Sequence, residues 1–137
     1  EDNKSPFQWD LDFGSATATG ATLTPKQIFR MGAGHVIPYA SSVHRIKGWV
    51  SSDGGNVITV AICKITPTAG STSALTPVVV DEFNATGASS DSKLVAIDET
   101  TITAASLAAG DFLFAMIKEA SGGSEIFLNL TIETTVY

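Results

Sequence analysis

Residues 125–136 read Glu125-Ile126-Phe127-Leu128-Asn129-Leu130-Thr131-Ile132-Glu133-Thr134-Thr135-Val136. In an extended chain Ile126, Leu128, Leu130, Ile132 and Val136 fall on one side, and Phe127, Asn129, Thr131, Glu133 and Thr135 on the other. A period of two with one apolar side predicts a strand with a buried face and a mostly wet face. Just upstream, residues 111–119 are apolar on both sides, with Phe112, Phe114 and Met116 against Leu113, Ala115 and Ile117. Such a strand belongs in the middle of a sandwich or at a subunit interface. Ser121-Gly122-Gly123-Ser124 lies between the two runs and predicts a tight hairpin.

The same grammar extends toward the amino terminus. Residues 43–50 and 56–66 read as two strands around Ser51-Ser52-Asp53-Gly54-Gly55, whose Asp-Gly step predicts a second hairpin. The later strand is again apolar on both sides, with Ile58, Val60 and Ile62 against Val57, Ala61 and Ile65. Further strands are expected at residues 77–83, 93–97 and around 100–103, with residues 26–31 and 36–39 supplying the first one or two. The only helical candidate, residues 102–109, is too short for more than one turn. About eight short strands at even spacing predict an all-β antiparallel sandwich.

The first twenty-one residues differ. Phe7, Trp9, Leu11 and Phe13 alternate with Gln8, Asp10 and Asp12, and Gly14-Ser15-Ala16-Thr17-Ala18-Thr19-Gly20 follows with the composition of a flexible linker. The expected division is an arm and linker over residues 1–21 and a sandwich domain over residues 22–137. The arm can close its own sheet or add itself to a neighbour, and Phe7, Trp9, Leu11 and Phe13 are its expected interface residues. The opening Glu1-Asp2-Asn3-Lys4-Ser5 carries no signal-peptide pattern. The missing methionine fits a processed chain or a segment of a longer one.

Composition narrows the partners. Only 16% of the 137 residues are charged and the formal net charge is −6. Free nucleic acid is repelled by that balance, and no Lys/Arg run offsets it. A protein lattice or a neutral glycan remains compatible. No stretch approaches the ~20 apolar residues of a membrane helix, so no membrane partner is expected. The single cysteine, Cys63, sits in an apolar run and reads as a small buried hydrophobe.

Chemistry is absent at the level of motifs. His35 and His44 are separated by nothing that looks like a ligand set, and they read as polar histidines of the surface or core. No Gly-x-Ser-x-Gly elbow occurs, and Cys63 has no neighbouring histidine. The acid pairs Asp81-Glu82 and Asp98-Glu99 point to opposite faces of their strands, so neither pair forms a site by itself. Trp49, on a strand before a turn, reads as a core or interface anchor. No catalytic residue, metal ligand or cofactor site is expected, and the chain is predicted not to be an enzyme.

One run is similar to something familiar. Leu107-Ala108-Ala109-Gly110-Asp111-Phe112-Leu113 carries a Leu-x-Ala-Gly-Asp-x-Leu turn into a strand, downstream of the Lys47-Gly48-Trp49 strand and a Gly-rich turn. In these features residues 23–137 resemble the small jelly-roll domains of tailed bacteriophages found in capsid decoration proteins, head fibres and tail-fibre heads. Those domains are in turn similar to the trimeric tumour-necrosis-factor-like sandwich. The resemblance implies a jelly-roll β-sandwich, a homotrimer, a place on the virion surface and a capsid or other virion protein as partner, with no catalytic or cofactor residues. It departs in one respect: no coiled coil or collagen-like stem precedes the domain. The function expected is a structural one, as a capsid decoration or cement protein. The alternative is a carbohydrate- or receptor-binding fibre-tip module, against which the Ser/Thr/Gly/Ala character of the loops weighs.

Overall fold

The alternation in residues 125–136 is realised as a long strand, one of nine among the described residues of the computed structural model. The structure describes residues 6–19, 34–52, 58–70, 77–85, 94–119 and 123–136, with the side chains of 6–19, 52, 58, 117–119 and 123–128 outside that description. In chain order the strands are β1 (Pro6–Thr19), β2 (His35–Val36), β3 (Ser41–Ser52), β4 (Ile58–Ile65), β5 (Val78–Asn84), β6 (Val95–Glu99), β7 (Ser106–Leu107), β8 (Phe112–Glu119) and β9 (Gly123–Val136). No helix occurs among the described residues.

The strands form two antiparallel sheets. One runs β1-β9-β3-β6, with the short β7 also pairing β3, and the other runs β2-β8-β4-β5. Pairing is nested along the chain: β1 with β9, β2 with β8, β3 with β6 and β4 with β5. The two sheets share one hydrophobic cluster, so the fold is all-β and sandwich-like. Val43, Ile46, Val50, Ile97, Leu130 and Ile132 enter it from the first sheet, and Val60, Ile62, Val80, Phe83 and Leu113 from the second. Leu130 and Ile132 are fully buried, as their alternation predicts, and Thr134 continues the same buried face.

The strands apolar on both sides are the two central strands of the second sheet, β8 and β4. Leu113, Phe114 and Ala115 are buried in succession, which requires cover on both faces. In β4 the consecutive burial of Ile62 and Cys63 coincides with a register shift against β5.

Both predicted hairpins are overturned. β3 and β4 flank the Asp53-Gly54 step but lie in different sheets, and so do β8 and β9 around Gly122-Gly123. A Gly-rich turn reverses the chain, yet it does not decide whether the flanking strands pair or separate across the core. Each pair combines a strand covered on both faces with one buried on a single face. Such strands satisfy their apolar sides by facing each other across the sandwich. The linker reading of residues 14–20 also changes. β1 continues through Gly14 to Thr19 and pairs with β9 along its length, with a register shift between Asp12 and Ser15. Alternating Ala and Thr are compatible with an extended ladder once a partner strand is present. Residues 100–102 have no regular structure, Thr103 and Ala104 form a turn, and the short β7 follows instead. The strand expected at residues 26–31 lies outside the described residues.

The Leu-x-Ala-Gly-Asp run has a physical explanation. Asp111 is buried, its Oδ2 accepts from the Ala108 amide at 2.9 Å, and its Oδ1 accepts from Thr66 Oγ1 at 2.7 Å. The Asp111 amide donates back to the Ala108 carbonyl at 3.1 Å. The turn is pinned to the chain beyond β2, because the Gly110 amide donates to Ile37 O at 2.7 Å and the Ile37 amide donates to Asp111 O at 2.8 Å. Buried Leu107 anchors the near end. The motif closes the ladder that places β8 beside β2.

Candidate interaction surfaces

The alternation that buries Ile46 and Val50 turns Arg45, Lys47 and Trp49 to the outer side of the first sheet. A register shift between Val43 and Arg45 inserts His44 as an extra residue, so that His44 and Arg45 are both at least partly exposed. Bulges re-aim side chains in this way. His44 lies between Thr135 Oγ1, 3.1 Å from its Nδ1, and Glu133 Oε2, 3.5 Å from its Nε2. Glu133 Oε1 also receives Lys47 Nζ at 2.7 Å.

Arg45 and Asp98 form a two-pronged pair, with Nε to Oδ1 at 2.7 Å and Nη2 to Oδ2 at 2.8 Å. The hydrogen bond from Arg45, and then its charge, hold the Asp98 carboxyl below its ordinary range, while Asp98 raises the guanidinium. Both side chains are well exposed, so the pair orders the surface more than it stabilises the fold.

Trp49 is 37% exposed. Of the core and interface places expected for it, the core is therefore corrected. Gly48 and Val50 lie on the inner side of β3, and Trp49 takes the wet side. Its cross-strand partners are Ala96 on β6 and Asn129 on β9.

A second surface lies on the four-stranded sheet. Thr59, Ala61, Pro77, Val79, Glu82 and Met116 surround Cys63 in an open groove of about 340 Å³. Cys63 is 1% exposed, and its thiol faces Ala61 O at 3.8 Å. Burial, and secondarily the Glu82 carboxylate, pushes the thiol from its ordinary 9.0 up to about 11. The unfolded chain sheds the proton first, so the stability linked to this group falls as pH rises between those two values. At pH 8 only about one thiol in a thousand is ionised in the folded state. A disulfide reagent is therefore expected to leave the native protein unlabelled at pH 8 and to label Cys63 once in denaturant. Rapid stoichiometric labelling of the native protein would contradict the burial.

The expected arm residues stand on β1, at the sheet edge. The backbone register sets Phe7 opposite Thr134, Trp9 opposite Ile132 and Leu11 opposite Leu130, while Phe13 falls within the register shift. The side chains of β1 lie outside the described residues. His35 is exposed on β2, in the other sheet from His44. Among the described residues no three His, Cys, Asp or Glu gather as metal ligands would. The Asp81-Glu82 pair splits as its alternation predicts, with Asp81 buried and Glu82 exposed. Sequence alone gave no sign that Asp81 would be buried with only one oxygen satisfied, by Thr103 Oγ1 at 3.2 Å. Comparison with protein-family models and with curated proteins gives no match.

Proposed function

We propose that this chain is a non-enzymatic structural protein with a jelly-roll fold. In this proposal it is a decoration or cement subunit that binds the surface of a bacteriophage particle as a homotrimer. The observation that carries the reading is the nested pairing of β1 with β9, β2 with β8, β3 with β6 and β4 with β5. Two sheets built on that nested order, β7 being an addition to the first, support the jelly-roll reading, an architecture frequent in viral capsid and lectin domains. The net charge of −6 directs the protein toward a protein lattice and away from packaged nucleic acid. Exposed Val36, Tyr39, Val78 and Leu94 provide apolar surface for contacts between subunits or with the particle.

In this proposal β1 is the assembly element, and Phe7, Trp9, Leu11 and Phe13 are its anchors. An edge strand that pairs with β9 in one subunit can make the same pairing with β9 of a neighbour, which is exchange of an identical element. Light scattering at micromolar concentration is expected to give the mass of three chains, and a monomer would overturn the trimer. The exchange is read separately by a cysteine pair at the register partners Asp10→Cys and Thr131→Cys. Covalent oligomers up to a trimer on a non-reducing gel are expected. Cross-links confined within single chains would make β1 a stability element of its own sheet and remove its assembly role.

A further inference from the structure

We propose that the outer face of the first sheet around Trp49 is a binding site for a neutral carbohydrate, with the indole as a stacking platform for one pyranose ring. The inference is independent of the virion role. β3 has β9 on one side and β6 on the other, so Trp49 is exposed in the middle of a sheet and not at its rim. Its two cross-strand neighbours are short, exposed Ala96 and half-buried Asn129, so neither walls off the ring. One step along the same face stand Lys47 and, opposite it, Asp98, both with substantial exposure. A flat apolar surface bordered by an amide, an ammonium and a carboxylate suits a ligand with one apolar face and a ring of hydroxyls.

Charge selects among such ligands. Arg45 is already paired with Asp98 and Lys47 with Glu133, so these described residues offer no surplus of either sign. The chain as a whole is acidic at −6, which disfavours sialylated or sulfated glycans. A protein partner fits less well. Besides Trp49, the described residues add only Leu94, exposed just before β6, as a large apolar side chain beside this face, whereas a protein interface needs an apolar centre within roughly 1,000 Å² or more.

The test uses the full chain. The sequence has two tryptophans, Trp9 and Trp49, so Trp9→Phe leaves Trp49 as the only indole. Neutral oligosaccharides of glucose, mannose, galactose and N-acetylglucosamine are screened on an array. Those that bind are titrated against Trp49 emission, with calorimetry on the unmodified chain and with sialylated and sulfated glycans as the acidic arm. At least one neutral sugar is expected to shift the emission saturably, with a dissociation constant near about 1 mM. Trp49→Ala is expected to weaken that binding about tenfold or more, equivalent to about 1.4 kcal/mol. Trp49→Phe should retain part of the affinity. Absence of any neutral-sugar binding, preference for acidic glycans, or unchanged affinity in Trp49→Ala would each overturn the site. Should Trp49→Ala fail to fold, the emission titration and Trp49→Phe still decide it.

Discussion

Leu130→Ala is expected to lower the free energy of unfolding by about 2–5 kcal/mol, and to fall in the upper part of that range. Leu130 is fully buried on β9, which has β1 on one side and β3 on the other. Removing its branched end forfeits the transfer free energy of the lost carbons and leaves a cavity, which adds about 24 cal/mol for each Å³ that does not collapse. Collapse is hard here. The residue opposite Leu130 on β3 is Gly48, which has no side chain to move into the space. Ile46, Ile132 and Ile97, buried in the same cluster, are branched side chains with few alternative rotamers. Thr131→Ala, one residue along and half-exposed on the other face, is the matched control, expected to cost less than about 1 kcal/mol. Denaturant unfolding of both variants measures the difference. Equal midpoints would show that the β9 face carrying Leu130 is not core.

How much of this arrangement can be read from sequence differs by level. The alternation of residues 126–136 placed Leu130 and Ile132 inward because a period of two leaves a strand only one apolar side to bury. The doubly apolar runs likewise led to β4 and β8 as the central strands of a sheet. What alternation cannot encode is which strand sits beside which. The glycine-rich segments at Asp53-Gly54 and Gly122-Gly123 suggested neighbours, but the strands on either side of each lie in different sheets. Register is a long-range property: β1 pairs with β9 from the opposite end of the chain, and no local residue pattern names that partner.

The surface was less legible than the core. Trp49 was expected as a core or interface anchor, and its place between inward Gly48 and Val50 requires it to face out. The bulge that brings His44 and Arg45 to the outer side, both within reach of the Glu133 region, had no sequence signal at all. An extra residue in one strand is defined only by its partner. The burial of Asp111 is intermediate. Its Ala-Gly-Asp spacing marked a turn, while the hydrogen bonds to Thr66 and Ala108 became visible only with the fold.

Gly48→Ala is expected to destabilise the protein by about 3 kcal/mol or more, a loss out of proportion to one methyl group. Gly48 has φ of +151°, in a region that L side chains rarely adopt. That conformation alone costs about 1–3 kcal/mol for any residue with a Cβ. Space makes matters worse. An added Cβ would overlap the Asn129 carbonyl oxygen and lie 2.9 Å from Leu130 Cα, so both obstacles belong to the β9 backbone. Side chains can change rotamer to relieve a contact, but a central strand held by ladders on both sides cannot withdraw without breaking hydrogen bonds. Gly110→Ala separates the two contributions. Gly110 also has positive φ, at +91°, but nothing lies within 4 Å of where its Cβ would be. It is expected to cost only the conformational part, about 1–2 kcal/mol. Combining Gly48→Ala with Leu130→Ala provides a further check, because the cavity left by the leucine is on the side-chain side and the collision is with backbone. The double variant is therefore expected to recover none of the stability lost at Gly48. If Gly48→Ala proves no more harmful than Gly110→Ala in parallel denaturant melts, or if Leu130→Ala rescues it, then β3 and β9 do not approach each other as closely as this structure has them.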